Sequence, residues 1–236
     1  MTFRIPRDVI LPVDAVDVCL DPAPHPFERL NRRQIDENWR REHAANPALF
    51  DGTMVLLSGA SLDGGHLTGT CHAVRYATML YWRKNKGDNG VEHSFAFPAL
   101  VARDNALVAI RMGPHTANPG RVYFAAGSFE PSDFVDARVD LHGNMSREVM
   151  EETGLDISAA RRDERSHIYS HNHSTVIFRR YWLDEEAEVL ARRIEAHVAA
   201  EAEPEIEGPV IIRGGEPLPE GTSPHMAAIV AWHFAK

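Results

Sequence analysis

Apolar residues recur along this chain with two spacings, one typical of strands and one typical of helices. Strands are predicted where β-branched and apolar residues alternate or run together, at 13–19, 53–61, 66–74, 94–102, 106–112, 121–126, 167–169, 175–183 and 209–213. Helices are predicted where polar and apolar residues follow the helical period, at 27–45, 76–84, 141–153, 184–202 and 223–234. In the first helix, we expect Leu30, Ile35 and Trp39 to form the packed side. Strands and helices mix along the chain, which predicts an α/β fold.

Turn-forming residues divide the chain into two parts. Asp63-Gly-Gly65 lies between two strand-like runs and predicts a β-hairpin. Asp88-Asn-Gly90 separates the segment that contains the first helix and this hairpin from a strand-rich remainder. We therefore predict that residues 1–90 form an N-terminal α+β elaboration, packed on a main domain of residues 91–236.

The composition is that of an ordinary globular protein with an excess of acidic residues. Hydrophobic residues make up 44% and charged residues 25% of the 236 positions, so the chain is long enough to bury a substantial core. The net charge of -9 argues against nucleic acid or an anionic membrane as the main partner, because both are bound through basic surfaces. Two cysteines, Cys19 and Cys71, do not predict a disulfide framework. With no signal-peptide core and no apolar run of membrane-spanning length, we expect a soluble cytoplasmic protein.

The densest cluster of charge lies at the end of the predicted helix 141–153. It reads Arg-Glu-Val-Met-Glu-Glu-Thr-Gly-Leu at positions 147–155. In a helix, Glu148, Glu151 and Glu152 lie one turn apart on one face, where like charges repel and destabilise the helix. A hard divalent cation such as Mg²⁺ would offset this repulsion, and the alternative is a solvated acidic surface. Asp140 is the expected N-cap of this helix and Gly154 its C-terminal residue.

The pattern Arg-Glu-x-x-Glu-Glu-x-Gly, which starts at Arg147, resembles the core of the Nudix box, the signature of the Nudix hydrolases. Upstream, Gly127 and five intervening residues lead to Asp133, which is similar to the start of the box, although the family usually has Glu at the second position. Thirteen residues rather than seven separate Asp133 from Arg147. We therefore infer a six-residue insertion within 134–142.

The resemblance implies a Nudix α/β/α sandwich with a mixed sheet, to which residues 1–90 are added. It also implies hydrolysis of a diphosphate bond in a nucleoside diphosphate linked to another group X, with Mg²⁺ or, as a substitute, Mn²⁺ as the cofactor. Four residues of the helix are the implied catalytic or metal-binding groups: Arg147, which would orient the carboxylates, and Glu148, Glu151 and Glu152, which would bind the metal. Gly127 and Arg121, in the strand before it, are the expected contacts to the substrate.

The identity of X stays open at this point. The helix followed by Asn46-Pro-Ala-Leu-Phe-Asp-Gly52 and a hairpin is similar to the N-terminal part of nucleoside-diphosphate-sugar hydrolases, which makes a nucleotide sugar the first candidate. Dinucleotide cofactors, coenzyme A derivatives and damaged nucleotides are the alternatives. Asp133 and the insertion also allow a catalytically silent Nudix-fold nucleotide sensor. A role in RNA decapping is disfavoured by the acidic excess, and a homodimer is left open.

Three further groups of polar residues have no assigned role. The most basic local cluster contains Arg83, Lys84 and Lys86. His171 and His173 share a predicted strand–loop junction, but two histidines without a third ligand favour a surface or substrate-facing position over a metal site. A late acidic stretch could supply one more base or metal ligand, although a solvated loop is favoured: Glu201, Glu203, Glu205 and Glu207.

Overall fold

The computed structural model describes residues 3–47, 49–87 and 89–235. These residues form fourteen strands, five α-helices and a short 3-10 turn at Pro131–Asp133. The strands are β1 (Phe3–Arg4), β2 (Ile10–Val13), β3 (Ala15–Asp21), β4 (Thr53–Asp63), β5 (His66–Arg75), β6 (His93–Val101), β7 (Leu107–Met112), β8 (Val122–Tyr123), β9 (Phe134–Val135), β10 (Arg138–Val139), β11 (Arg161–Arg162), β12 (Ser166–His171), β13 (Ser174–Trp182) and β14 (Ile206–Ile212). The helices are α1 (Pro26–Ala45), α2 (Tyr76–Lys84), α3 (Leu141–Thr153), α4 (Ala187–Ala200) and α5 (Pro224–Phe234).

The strands form two mixed sheets. The first has the order β1-β4-β5-β3-β10-β9, and the second has the order β14-β7-β6-β13-β12-β2. β8 pairs with β7, and β11 pairs with β13. The pairs β1–β4, β3–β5 and β6–β13 are parallel, whereas the other pairs within these sheets are antiparallel. The expected α/β fold with a mixed sheet is therefore confirmed.

Apolar burial joins the two sheets and the helices. The largest cluster of buried residues contains side chains from both sheets together with Met145 and Val149 of α3 and Ile194 of α4. α5 packs against the second sheet through a separate apolar cluster. A third cluster, which includes the fully buried Trp82 of α2, packs against β4 and β5. Since α3 is fixed in the core by its apolar side, its carboxylates lie on the remaining surface of the helix.

Local signals set the limits of α3 where the sequence predicts them. The Asp140 side chain caps the helix by accepting a hydrogen bond from the Gly143 N–H at 2.9 Å. At the other end, Gly154 has a φ of 67°, the left-handed conformation that favours glycine. The predicted caps and bounds of this helix are confirmed.

The six-residue insertion forms a hairpin before α3. β9 and β10 pair with each other, and Arg138 of β10 lies opposite Cys19 of β3, so the insertion extends the first sheet. The turn between them holds Asp136 and Ala137 at φ values of 48° and 62°. The Asp140 N–H then donates to the Asp133 carbonyl at 2.8 Å. The hairpin thus begins and ends beside Asp133, so α3 starts close to the loop that precedes the insertion.

Several predicted elements need correction. The predicted strand 13–19 is two strands, β2 and β3, which belong to different sheets because the chain crosses between sheets at Asp14. The predicted strand 121–126 is regular only over Val122–Tyr123, and α4 begins at Ala187 rather than at 184. The predicted packing of Leu30 is wrong, because this side chain is 75% exposed.

The predicted division at residue 90 separates elements that pair in space. β2 from the N-terminal part joins the second sheet beside β12, and β9–β10 from the later part join the first sheet. Asp88 of the predicted boundary lies outside the described residues. The division into 1–90 and 91–236 therefore stays a prediction about the sequence. Within the described ranges, no helix is long and apolar enough to cross a membrane.

Candidate active site

An open cleft with a volume of 1080 Å³ lies beside the carboxylate side of α3. Part of its lining is acidic and comes from α3, from the loop before it and from the loop before β14. The acidic residues of the lining are Glu130, Glu148, Glu151, Glu152, Glu201, Glu203 and Glu205. The concentration of carboxylates makes this part of the cleft, which we call the acidic wall, suited to a cation.

Arg147 lies at the centre of the acidic wall. Its Nη2 donates to Asp133 Oδ1 at 3.0 Å and lies 2.7 Å from Glu148 Oε1, while its Nη1 donates to Glu151 Oε2 at 2.9 Å. Burial alone would lower the pKa of Arg147, but the carboxylates of Glu148, Asp133 and Glu151 raise it above its usual value. Asp133 is buried and also accepts from Asn144 Nδ2 at 3.0 Å. Asp133 therefore positions Arg147 from the loop side.

Gly127 and Glu148 are in close contact. A Cβ at position 127 would lie 2.6 Å from Glu148 Cδ, a distance far inside van der Waals contact, so a side chain here would displace the Glu148 carboxyl group. Glu148 is 8% exposed, and burial raises its pKa to about 7 while the charge of Arg147 opposes the shift. A carboxylate with a pKa near 7 can accept and release a proton at neutral pH.

Glu152 is the most strongly perturbed carboxylate of the acidic wall. Its Oε2 accepts a hydrogen bond from the Ala126 N–H at 3.0 Å. Burial raises its pKa to about 9, and the charges of Glu148 and Glu205 add to the effect. In the part of the chain that the structure describes, no basic side chain forms a salt bridge with Glu152. Its ionised form is therefore costly unless a cation from outside the chain offsets the charge.

The remaining lining of the cleft is aromatic and basic. Tyr123 and Phe97 stack with ring centroids 6.0 Å apart, and Phe95 contacts Phe97 edge-on at 5.0 Å. The basic residues of the lining besides Arg147 are Arg83, Lys86 and Arg121. The cleft thus combines an acidic wall with flat apolar surfaces and cations from other segments.

The donor groups of the acidic wall fit a hard divalent cation. They are carboxylate oxygens, which Mg²⁺ and Mn²⁺ prefer, and Mg²⁺ usually binds through one or two carboxylates and completes its shell with water and substrate phosphate. Among the described residues, no group of three or more His, Cys, Asp or Glu side chains is arranged to hold a metal ion. Arg147 pairs with both Glu148 and Glu151, so the predicted three-glutamate ligand set is not preassembled.

The comparisons with known proteins found remote structural similarity only. No family model matches the sequence, and no curated protein matches it. Three solved structures resemble it: a MutT protein from Methanosarcina mazei Go1 (14% identity, 61% of this chain and 92% of that chain, TM-score 0.37), DR0079 from Deinococcus radiodurans (14%, 62% and 79%, 0.36) and the E. coli ORF135 protein (17%, 61% and 94%, 0.36). Such similarity concerns the fold alone.

The segment 127–154 carries the resemblance to the Nudix box. In this segment, the loop at Gly127 is followed by the buried Asp133 and then by α3, the capped helix that carries the glutamates. Asp133 contacts Arg147 directly, although the insertion lengthens the connection between them.

All six residues predicted for the site lie in the lining of the cleft. They are Gly127, Arg121, Arg147, Glu148, Glu151 and Glu152. Their roles in metal binding, catalysis and substrate binding stay predictions. Of the late glutamates, Glu201, Glu203 and Glu205 also line the cleft.

Other residues of the site were assigned no role from the sequence. Asp133 was left without a role because of the insertion, and only the fold shows that it holds Arg147. The aromatic residues Phe95, Phe97 and Tyr123 come from β6 and β8 and carry no local signal that separates them from core residues. His171, the last residue of β12, and His173 are not among the residues that line the cleft. His171 Nδ1 is 2.6 Å from Asp8 Oδ1, and His173 Nδ1 is 3.9 Å from Glu92 Oε1.

Proposed function

We propose that the protein hydrolyses a diphosphate bond in a nucleoside diphosphate linked to a group X, with a divalent metal ion as cofactor. The observation that carries this proposal is the pair of buried carboxylates, Glu148 and Glu152, at the end of a Nudix-type loop and helix in a large open cleft. Buried acids with raised pKa values in a cleft are characteristic of functional sites.

In this proposal, Glu152 would hold the metal ion, and Glu151 would join it on exchanging its partner Arg147 for the ion, while Glu148 would act beside them as the base. The bound ion would neutralise charge on the diphosphate and make water more acidic. Arg147, fixed by Asp133, keeps the carboxylates oriented. The glycine at position 127 leaves the space in which the Glu148 carboxyl lies.

The chemical step is a hydrolysis. The oxygen of water forms a bond to phosphorus, and the bridging P–O bond breaks with its electron pair on the leaving phosphate. We assign the proton of the attacking water to the Glu148 carboxylate, whose pKa of about 7 suits proton uptake at neutral pH.

For X, we propose a sugar, so that a nucleotide sugar is the first substrate class. The support is that Phe50, Gly52, Thr53 and Met54 line the cleft and lie in the N-terminal part whose sequence resembles nucleoside-diphosphate-sugar hydrolases. The aromatic residues Phe97 and Tyr123 offer a flat apolar surface for a base or a sugar ring.

The test is turnover of a panel of nucleotide sugars, dinucleotides, coenzyme A and nucleoside triphosphates with Mg²⁺ or Mn²⁺, with products identified by mass. Glu152→Gln keeps the size of the side chain and the acceptor for the Ala126 N–H, yet removes the charge. We expect it to lower kcat/KM by at least about a hundredfold. Glu195→Gln on the exposed surface of α4 is the matched control and should retain wild-type activity.

The outcomes distinguish a hydrolase from a catalytically silent sensor. Turnover of one class that is lost in Glu152→Gln supports the hydrolase and names X. Metal-dependent nucleotide binding without turnover of any compound would instead favour the silent sensor.

A further inference from the structure

Two cations of the cleft, Arg83 and Lys86, differ from their neighbour Lys84 in the groups that they contact in the described part of the chain. Lys84 lies between them in the sequence and forms a salt bridge with Glu42. Lys86 Nζ donates to the Asn172 carbonyl at 3.0 Å, and Arg83 Nη2 lies 3.5 Å from Asn118 Oδ1. Among the described residues, no carboxylate forms a salt bridge with Arg83 or Lys86. Their side chains are thus held by neutral groups at the edge of the cleft.

Lys86 is partly buried, whereas Arg83 is exposed. Burial lowers the pKa of Lys86, and the charge of Arg83 lowers it further. The pKa of His93 falls to about 3, mainly through burial and then through Arg83 and Lys86. Lys86 also lies 5.0 Å from the ring centroid of Trp82. Two like charges in such a setting oppose folding, and an anion between them would offset the cost.

One cation, Arg83, and two residues of the acidic wall, Glu152 and Glu205, affect the pKa of Tyr123. Burial raises the pKa of Tyr123 to about 12; Glu152 and Glu205 add to the shift, whereas Arg83 opposes it. Tyr123 is therefore within electrostatic reach of both charged parts of the cleft. Arg121, two residues before it, lines the cleft as a third cation.

We propose that Arg83, Lys86 and Arg121 bind a second anionic group of the substrate, which carries a phosphomonoester or a carboxylate in addition to its diphosphate. The inference rests on the proposed function, since it places the diphosphate at the acidic wall. The aromatic surface of Phe97 and Tyr123 then contacts the part of the substrate that joins the two anionic groups. The three cations determine specificity and take no part in bond cleavage.

The test uses pairs of compounds that differ by one anionic group: NADPH and NADH, coenzyme A and dephospho-coenzyme A, and UDP-glucuronate and UDP-glucose. We expect the more anionic member of at least one pair to have a kcat/KM at least tenfold higher. Arg83→Gln/Lys86→Gln should abolish this preference through KM, with kcat little changed. Lys84→Gln, on the same helix, should retain it because Lys84 pairs with Glu42.

Two results would overturn the inference while leaving the proposed hydrolase intact. One is turnover without preference in any pair. The other is an equal loss for both members of a pair in Arg83→Gln/Lys86→Gln, which would show that these cations serve the diphosphate itself.

A binding measurement covers the case in which no compound is turned over. Calorimetric titration with Mg²⁺ present would compare adenosine 2′,5′- and 3′,5′-bisphosphate with AMP. Binding of a bisphosphate at least tenfold tighter than AMP, lost in Arg83→Gln/Lys86→Gln, supports the anionic subsite even if the hydrolase proposal fails. Equal binding of all three nucleotides in the absence of turnover overturns the subsite. Melting curves of each variant would establish that it is folded.

Discussion

The cleft contains two groups of like charge, the acidic wall and the cationic pair Arg83 and Lys86, which differ in the groups that they contact. In the acidic wall, Arg147 contacts Asp133, Glu148 and Glu151, so most of the repulsion is offset within the chain. Arg83 and Lys86 contact only neutral groups among the described residues. Of the three glutamates on α3, only Glu152 has no basic partner among the described residues, which leaves it for a cation. Within the described ranges, Arg83 and Lys86 have no carboxylate partner, which suits them to an anion from outside.

Among substitutions at the acidic wall, we expect the largest effect from Gly127→Ala. The added Cβ would lie 2.6 Å from Glu148 Cδ and would displace this carboxyl group. We expect kcat/KM to fall by at least about a hundredfold and the free energy of unfolding to fall by about 1–3 kcal/mol. Urea unfolding and steady-state kinetics measure the two effects.

Gly87→Ala is the control, because a Cβ at that position meets no atom within 4 Å. Wild-type activity in Gly127→Ala would mean that the position of Glu148 is unimportant for catalysis.

A smaller effect is expected when Arg147 loses its loop partner. Asp133→Asn keeps the shape of the side chain but removes the charge that pairs with Arg147. Because Asp133 is buried and Arg147 is partly exposed, we expect a loss of about 1–3 kcal/mol in unfolding free energy and roughly tenfold lower kcat. The exposed Asp156→Asn serves as the control in thermal melts and kinetics. Equal stability of both variants would remove the positioning role of Asp133.

The raised pKa of Glu152 predicts that the stability of the metal-free protein depends on pH. Its pKa is raised to about 9 in the folded state from an ordinary value of 4.5, so the folded protein binds this proton more tightly than the unfolded chain does. Stability therefore falls as the pH rises between these two values, because the folded state must then hold a buried charge. We expect wild type to lose about 1–3 kcal/mol between pH 6 and pH 9.

Urea unfolding in the presence of a chelator measures this loss. Glu152→Gln should show a smaller loss over the same range, and added Mg²⁺ should reduce the loss in wild type. An identical pH profile for wild type and Glu152→Gln would contradict the raised pKa.

How far the sequence predicts this molecule depends on how local each signal is. α3 has its bounds as predicted, because Asp140, Gly154 and the glutamate spacing all act within one helix. The break at Asp14 was missed, since the residues on its two sides are equally strand-like and only tertiary pairing sends them to different sheets. Leu30 fits a helical pattern and yet is exposed, because no other element covers that part of α1.

The same distinction applies to the candidate site. The three glutamates on α3 are predicted because they lie on neighbouring turns of one helix. The contact of Asp133 with Arg147 depends on the hairpin that the insertion forms, which the sequence does not predict. The cationic pair and Arg121 come from segments more than thirty residues apart, so their shared position depends on the fold.

The central claim, that the acidic wall is a divalent cation site, is tested most directly by Mn²⁺ binding. Electron paramagnetic resonance of free Mn²⁺ would be followed during titration into wild type, Glu152→Gln and the control Glu195→Gln. We expect saturable binding to wild type and to Glu195→Gln, and at least tenfold weaker binding to Glu152→Gln. Equal Mn²⁺ affinity in all three proteins would contradict the assignment of the metal to the acidic wall.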